Sequence, residues 1–150
     1  LASVPGTAMA SDQPYRWADL AIDYCEDVTP LDWEAIDRIC EIFKKHGASC
    51  KVSSIHVNGW FGDYDKLKMM KIFVQERWGL DLDTHKEQFL FCGDSPNDEP
   101  MFQYFPYSAG VKNVLRFADH MTNLPAFITS QEGGEGFAEI VQHIFRRRGD

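Results

Sequence analysis

The sequence is short of positive charge. Lysine and arginine number 15 against 23 aspartates and glutamates, a formal net charge of −8 over 150 residues. That balance argues against nucleic acid and against an anionic membrane surface as partners. It also means that binding an anionic phosphate ester would need a local cation: a metal ion, a lysine, or both. No apolar run approaches the roughly 20 residues of a membrane span. Cysteine is sparse: Cys25, Cys40, Cys50 and Cys92 form no Cys-x-x-Cys pair and no dense framework. They read as ordinary thiols of a reducing compartment, so the expected location is cytoplasmic. The first ten residues carry no basic lead, and a signal peptide is not expected there. Internal repeats and low-complexity tracts are absent too. What is present is apolar material, 44% of the residues with 13% aromatic, enough for one sizeable core.

Periodicity divides the chain into two patterns. Residues up to about Gln13 are small and polar and read as linker or loop. Leu20, Ile22 and Tyr24 alternate as a half-buried strand does. Thr29 then suits an N-cap with Pro30 at the first helical position, and Ile36, Ile39, Cys40 and Phe43 recur at helical spacing until Gly47. A second strand follows, with Ile55 and Val57 on one face and Ser54, His56 and Asn58 on the other. Strand, helix and strand with one apolar face each suggest a layered α+β unit. From about Gly62 the pattern becomes that of an α/β core. Asp65 suits the cap of a helix carrying Leu67, Met70, Val74 and Trp78, with Gly79 as its stop. A last helix carries Phe137, Ile140, Val141 and Ile144.

Chemistry concentrates between Phe89 and Phe102. The apolar run Phe89-Leu90-Phe91-Cys92 reads as a buried parallel strand. It stops at Gly93-Asp94-Ser95-Pro96-Asn97, which has turn chemistry, and Pro100 suits the first turn of a new helix. Carboxylates at the carboxyl end of a parallel strand sit where open α/β sheets bind ligands. Asp94 and Asp98 have the character of half a magnesium site, because that ion takes a few carboxylates plus water and phosphate oxygens. The same residues also suit an acidic helix N-terminus, with Asp98 and Glu99 favoured by the helix dipole. The residues alone leave both readings open.

Gly93-Asp94-Ser95-Pro96-Asn97-Asp98, with Met101 after it, resembles the fourth motif of the haloacid dehalogenase (HAD) superfamily. More narrowly it resembles the branch of sucrose-phosphatase, mannosyl-3-phosphoglycerate phosphatase and the Cof-type hydrolases. Asp65-Lys66-Leu67-Lys68 is similar to the third motif, where a lysine opens the helix returning from the cap, although Leu67 replaces the usual glycine. Ala109-Gly110-Val111-Lys112-Asn113, Phe117-Ala118-Asp119 and Gly133-Gly134-Glu135-Gly136-Phe137 continue the likeness, with Val114 in place of the usual alanine. The resemblance implies an α/β chain: the C-terminal part of a HAD-like Rossmannoid core with a parallel sheet (residues 62–150), plus the second part of an α+β cap (14–61), preceded by linker (1–13).

The family's first motif, Asp-x-Asp-Gly-Thr after a hydrophobic strand, is absent from this sequence, and with it the aspartate nucleophile. Asp81-Leu82-Asp83-Thr84 imitates it but follows a helix end, lacks the glycine and reads as a solvated loop. The resemblance therefore implies supporting groups only. Asp94 helps to hold Mg2+, with Asp98 as a further metal-site carboxylate or as a group orienting a neighbour. Lys66 is the catalytic cation, unless it is a surface lysine beside Lys68 and Lys71. Asn97 and Ser95 contact the phosphoryl group or fix the loop. His56 and Asn58, with Arg16 a weaker candidate, meet the leaving group or simply form a polar cap face in solvent. The expected function is a magnesium-dependent phosphatase of a small phosphate ester such as a sugar phosphate. The alternative is a non-catalytic binding or regulatory module of the same fold. The expected partners are a phosphorylated small molecule and, over an uncovered sheet edge, the missing N-terminal part or another copy.

Overall fold

Local capping decides where the main helices start. In the computed structural model, which describes residues 2–148, the Asp32 carboxylate accepts a hydrogen bond from the Ala35 N–H at 2.9 Å and α1 (Trp33–Lys45) begins behind it. This corrects the start expected at Thr29. Aspartate caps at least as well as threonine and adds a charge that the helix dipole favours. The later start also leaves Leu31 outside the helix, its N–H on the Tyr24 carbonyl and its side chain packed on the core. The second helix, α2 (Lys66–Trp78), follows the sequence closely. Asp65 accepts from the Lys68 N–H at 2.8 Å, and Gly79, at φ 68, closes the last turn in a conformation that glycine adopts without a Cβ penalty.

The chain divides into two units, one up to Asp63 and one from Tyr64. In the first, β1 (Ala8–Met9), β2 (Asp19–Asp23), β3 (Ser49–Val52) and β4 (His56–Trp60) form an antiparallel sheet in the order β1-β2-β4-β3. Helix α1 packs on β3 and β4. Ile22, Tyr24 and Val57 from the sheet side meet Ile36 and Ile39 from the helix in one apolar core. Two expectations are corrected here. Residues 8–9 are a paired strand rather than linker, and Val4 and Ala10 are buried, because small apolar residues can lie flush against a sheet; Leu1 lies outside the described residues. Strand β4 begins at His56, so Ser54 sits in the bend before it rather than on its polar face.

In the second unit, α2 is followed by α3 (Leu82–His85), β5 (Phe91–Gly93), α4 (Glu99–Tyr104), β6 (Ser108–Gly110), β7 (Phe127–Ile128) and α5 (Gly133–Arg148). The three strands are parallel, in the order β5-β6-β7. Val74, Leu82, Met101 and Phe105 form the core between the helices and β5, with the Phe91 ring stacked on Phe105 at 6.0 Å. The apolar run starting at Phe89 is only partly a strand: pairing begins at Phe91, opposite Ser108, and Leu90 is exposed. As the edge of the described sheet, β5 lacks the cover that a fully buried strand needs. Trp78 and Phe137 are exposed, against their expected places on apolar helix faces. Among the described residues, no helix is long and apolar enough to cross a membrane.

Candidate functional site

Strand β5 delivers Asp94 to its own carboxyl end, immediately after Gly93. The chain then turns through a 3-10 segment, Pro96–Asp98, into α4. Within that turn the Asp98 N–H donates to the Ser95 carbonyl at 2.9 Å. This folds Asp98 back under the strand end, where one carboxylate oxygen, Oδ2, accepts the Asp94 N–H at 2.9 Å. The other, Oδ1, pairs with the Lys66 ammonium from the first turn of α2. The Asp98 side chain is 5% exposed and that of Lys66 48%. A buried carboxylate demands such partners, since leaving it unpaired would cost several kcal/mol. Gly93 is part of the same packing: a Cβ there would stand 2.5 Å from Asp98 Oδ2.

The serine and asparagine of the motif hold the turn. Ser95 is buried, and its hydroxyl lies 3.0 Å from both Asp94 Oδ1 and Asn97 Oδ1. Asp94 itself is half-buried. Lys66, Asp94, Ser95, Asn97 and Asp98 are thus brought together, and the hydrogen-bond partner of Lys66 is Asp98. Each oxygen of Asp98 accepts one hydrogen bond from the protein, and Asp94 Oδ1 accepts one from the Ser95 hydroxyl. Cys92, one residue upstream of Gly93, has its thiol pushed above the ordinary value by burial.

The imitation motif forms local hydrogen bonds. Asp81 is exposed and caps α3, accepting from the Asp83 N–H at 3.0 Å, while Asp83 binds Lys71 Nζ at 2.7 Å and the Tyr104 hydroxyl at 2.7 Å. A short helix therefore replaces the expected loop, and it lies apart from the Asp94 turn in the hydrogen-bond network.

In the first unit the expected candidates separate. His56 is buried, with Nε2 2.8 Å from Glu26 Oε2, so its ring is committed within this unit rather than set on an open polar face. Asn58 is half-buried and accepts from Arg16 Nη1 at 3.2 Å; the same guanidinium binds Asp12 at 2.8 Å and Asp19 at 2.7 Å. The sequence reading missed Asp23 and Glu26, whose relation to His56 arises from the pairing of β2 with β4 and from a turn after β2. The signal for Asp23 was an acidic residue directly after the apolar run Leu20-Ala21-Ile22.

No family model matches the sequence. Among solved structures, the chain is similar to protein 0175 of Thermoplasma acidophilum, with a TM-score of 0.61 and 22% identity over 95% of this chain. It is similar also to the sucrose-phosphatase of Synechocystis, solved in complex with sucrose and phosphate, with a TM-score of 0.63 and 18% identity over 93%. A haloacid dehalogenase-like hydrolase of Bacillus subtilis aligns with a TM-score of 0.44 and 16% identity over 91% of this chain and 50% of its own. The chain spans 57% of the length of each of the first two structures. At these identities the likeness is one of fold, and it agrees with the branch that the Gly93–Asp98 motif resembles. The chain shares its fold with part of the Thermoplasma protein and part of the Synechocystis sucrose-phosphatase.

Proposed function

We propose that this chain belongs to a magnesium-dependent phosphomonoesterase acting on a small phosphate ester, a sugar phosphate in the first instance. One observation carries the reading: Asp98 ties the Lys66 ammonium and the Asp94 N–H into one array at the carboxyl end of a parallel strand. A solvated acidic turn has no use for a buried carboxylate spent on a lysine 32 residues away. A phosphoryl site does, because fixed donors and cations aimed at developing charge are the main source of rate in such reactions. Asp98 holds the lysine in place, and Lys66 presents a cation to phosphoryl oxygens. Ser95 and Asn97 keep the turn rigid.

The donor set fits magnesium. That ion is commonly held by one or two carboxylates, with water and substrate phosphate completing its shell, and Asp94 is a half-buried carboxylate with an anchored main chain. Bound there, the ion would neutralise phosphate charge in the transition state. The sequence holds no Asp-x-Asp-Gly-Thr motif, so the attacking aspartate comes from another part of the same protein, and that element also covers the free edge of β5. The sucrose and phosphate bound by the Synechocystis enzyme support the sugar-phosphate class.

The test is phosphate release from a panel of sugar phosphates by this chain joined to whatever its gene encodes upstream. Turnover should require Mg2+ and stop with EDTA, and Lys66→Ala should lower kcat on the order of a hundredfold, the scale of one lost preorganised contact. Turnover indifferent to both changes would refute the proposal. Phosphate-ester binding without any turnover would favour the non-catalytic module.

A further inference from the structure

We propose that the first unit carries a metal site of its own, formed by Asp23, Glu26 and His56 and suited to a divalent transition ion such as zinc. One ligand atom from each residue, two carboxylate oxygens and an imidazole nitrogen, lies within 4.8 Å of the others. Zinc bonds of about 2.0–2.2 Å to nitrogen and oxygen place neighbouring ligands roughly 3–3.5 Å apart, so the three groups need only small adjustments to share one ion. Mixed imidazole and carboxylate donors favour zinc and its neighbours over magnesium, which prefers oxygen alone.

The site is built rather than merely acidic. Asp23 is 0% exposed, and three backbone N–H groups orient its carboxylate: Cys25 and Glu26 donate to Oδ1 at 2.9 and 2.8 Å, Asp27 to Oδ2 at 2.8 Å. With two donors on Oδ1 and one on Oδ2, the second oxygen keeps a lone pair for a cation. His56 is 5% exposed, and its Nε2 faces Glu26 Oε2 at 2.8 Å. The Glu26 side chain is 40% exposed, which gives an ion a route in and allows water to complete the shell. Ligation requires Nε2 without its proton, so the ion replaces the His56–Glu26 hydrogen bond, and any proton on Nε2 passes to solvent or to Nδ1. This site belongs to the first unit and is independent of the reading given to Asp94.

The test uses the full chain stripped of metal by chelation, titrated with Co2+ by absorbance and with Zn2+ by calorimetry in the presence of excess Mg2+. The expected result is one saturable equivalent that Mg2+ does not displace. The cobalt spectrum should show d–d bands without thiolate charge transfer, which separates this site from the four cysteines. Glu26→Gln and His56→Gln should each weaken binding at least tenfold, and Asp94→Asn should leave it unchanged. Glu26→Gln keeps the test decisive if His56→Gln fails to fold, because its side chain lies outside the core. Absence of saturable binding, thiolate bands, full affinity in Glu26→Gln, or loss of affinity in Asp94→Asn would overturn the proposal.

Discussion

Replacing Gly93 by alanine should disrupt the array around Asp98, and the structure sets the size of the effect. The new Cβ would stand 2.5 Å from Asp98 Oδ2, 2.7 Å from its Cγ and 2.9 Å from its Cβ, all closer than side-chain carbons tolerate. Asp98 cannot withdraw without losing the Lys66 ammonium or the Asp94 N–H. Overpacking of this kind costs about 1–3 kcal/mol, and a hydrogen bond to a charged group contributes about 1.5–3 kcal/mol. Gly93→Ala should therefore destabilise the second unit by about 2–4 kcal/mol. Asp98→Ala alone should cost about 2–3 kcal/mol, since the half-exposed Lys66 returns to water and its share is discounted. In the double variant the two shortest contacts vanish, and only the one at 2.9 Å remains. Its cost should fall short of the sum by about 1–2 kcal/mol. Native-state hydrogen exchange of the Ala109 and Gly110 amides in β6 reads the second unit by itself. Additivity within about 0.5 kcal/mol would show that Gly93 and Asp98 do not press on each other.

Asp32→Ala should cost about 1 kcal/mol through the lost cap of α1, whereas Thr29→Ala should leave the urea midpoint in place; the reverse order would restore the start first expected at Thr29. Burial works to raise the Asp23 pKa, but hydrogen bonds from the Glu26, Asp27 and Cys25 N–H groups and the nearby His56 hold it below the ordinary 3.8. The stability this gives is complete above about pH 4, near the unfolded value, and is lost as pH falls through the lower folded value. Acid unfolding of the first unit should accordingly lose part of its steepness in Asp23→Asn, and an unchanged acid limb would contradict the assignment. A hydrogen bond from Cys40, with Lys44 and Lys51 adding to it, outweighs burial and pulls the Cys50 thiol down to about 7. Iodoacetamide near neutral pH should label Cys50 before Cys40 and Cys92; mass spectrometry that finds Cys92 first would refute this.

The parts of the fold that were legible in the sequence are those fixed by neighbours along the chain. Asp65 and Gly79 delimit α2 as their chemistry requires, and Gly93-Asp94-Ser95 ends a parallel strand as the turn residues imply. Misreadings arose where two local signals competed or where a partner lay far away. Thr29-Pro30 and Asp32 both offer a helix start, and burial of Leu31 decides between them. The run from Phe89 looks uniformly strand-like, yet only residues opposite β6 pair. Asp98 could be placed near Asp94 from spacing, but its bond to Lys66 spans 32 residues. His56 was set on an open face because alternation shows which side of a strand a residue takes, not what covers that side. The answer, Glu26, lies 30 residues upstream.

The most direct test of the central claim is magnesium-dependent turnover of a sugar phosphate by the protein that contains this chain, compared between the parent and Asp94→Asn. Asparagine keeps the size of Asp94 and an oxygen for the Ser95 hydroxyl but removes the charge that a divalent ion needs. The account predicts that kcat falls on the order of a hundredfold or more and that the Mg2+ concentration for half-maximal rate rises, with the fold retained. Turnover and magnesium dependence that survive Asp94→Asn unchanged would mean that the end of β5 is not the metal-binding part of an active site.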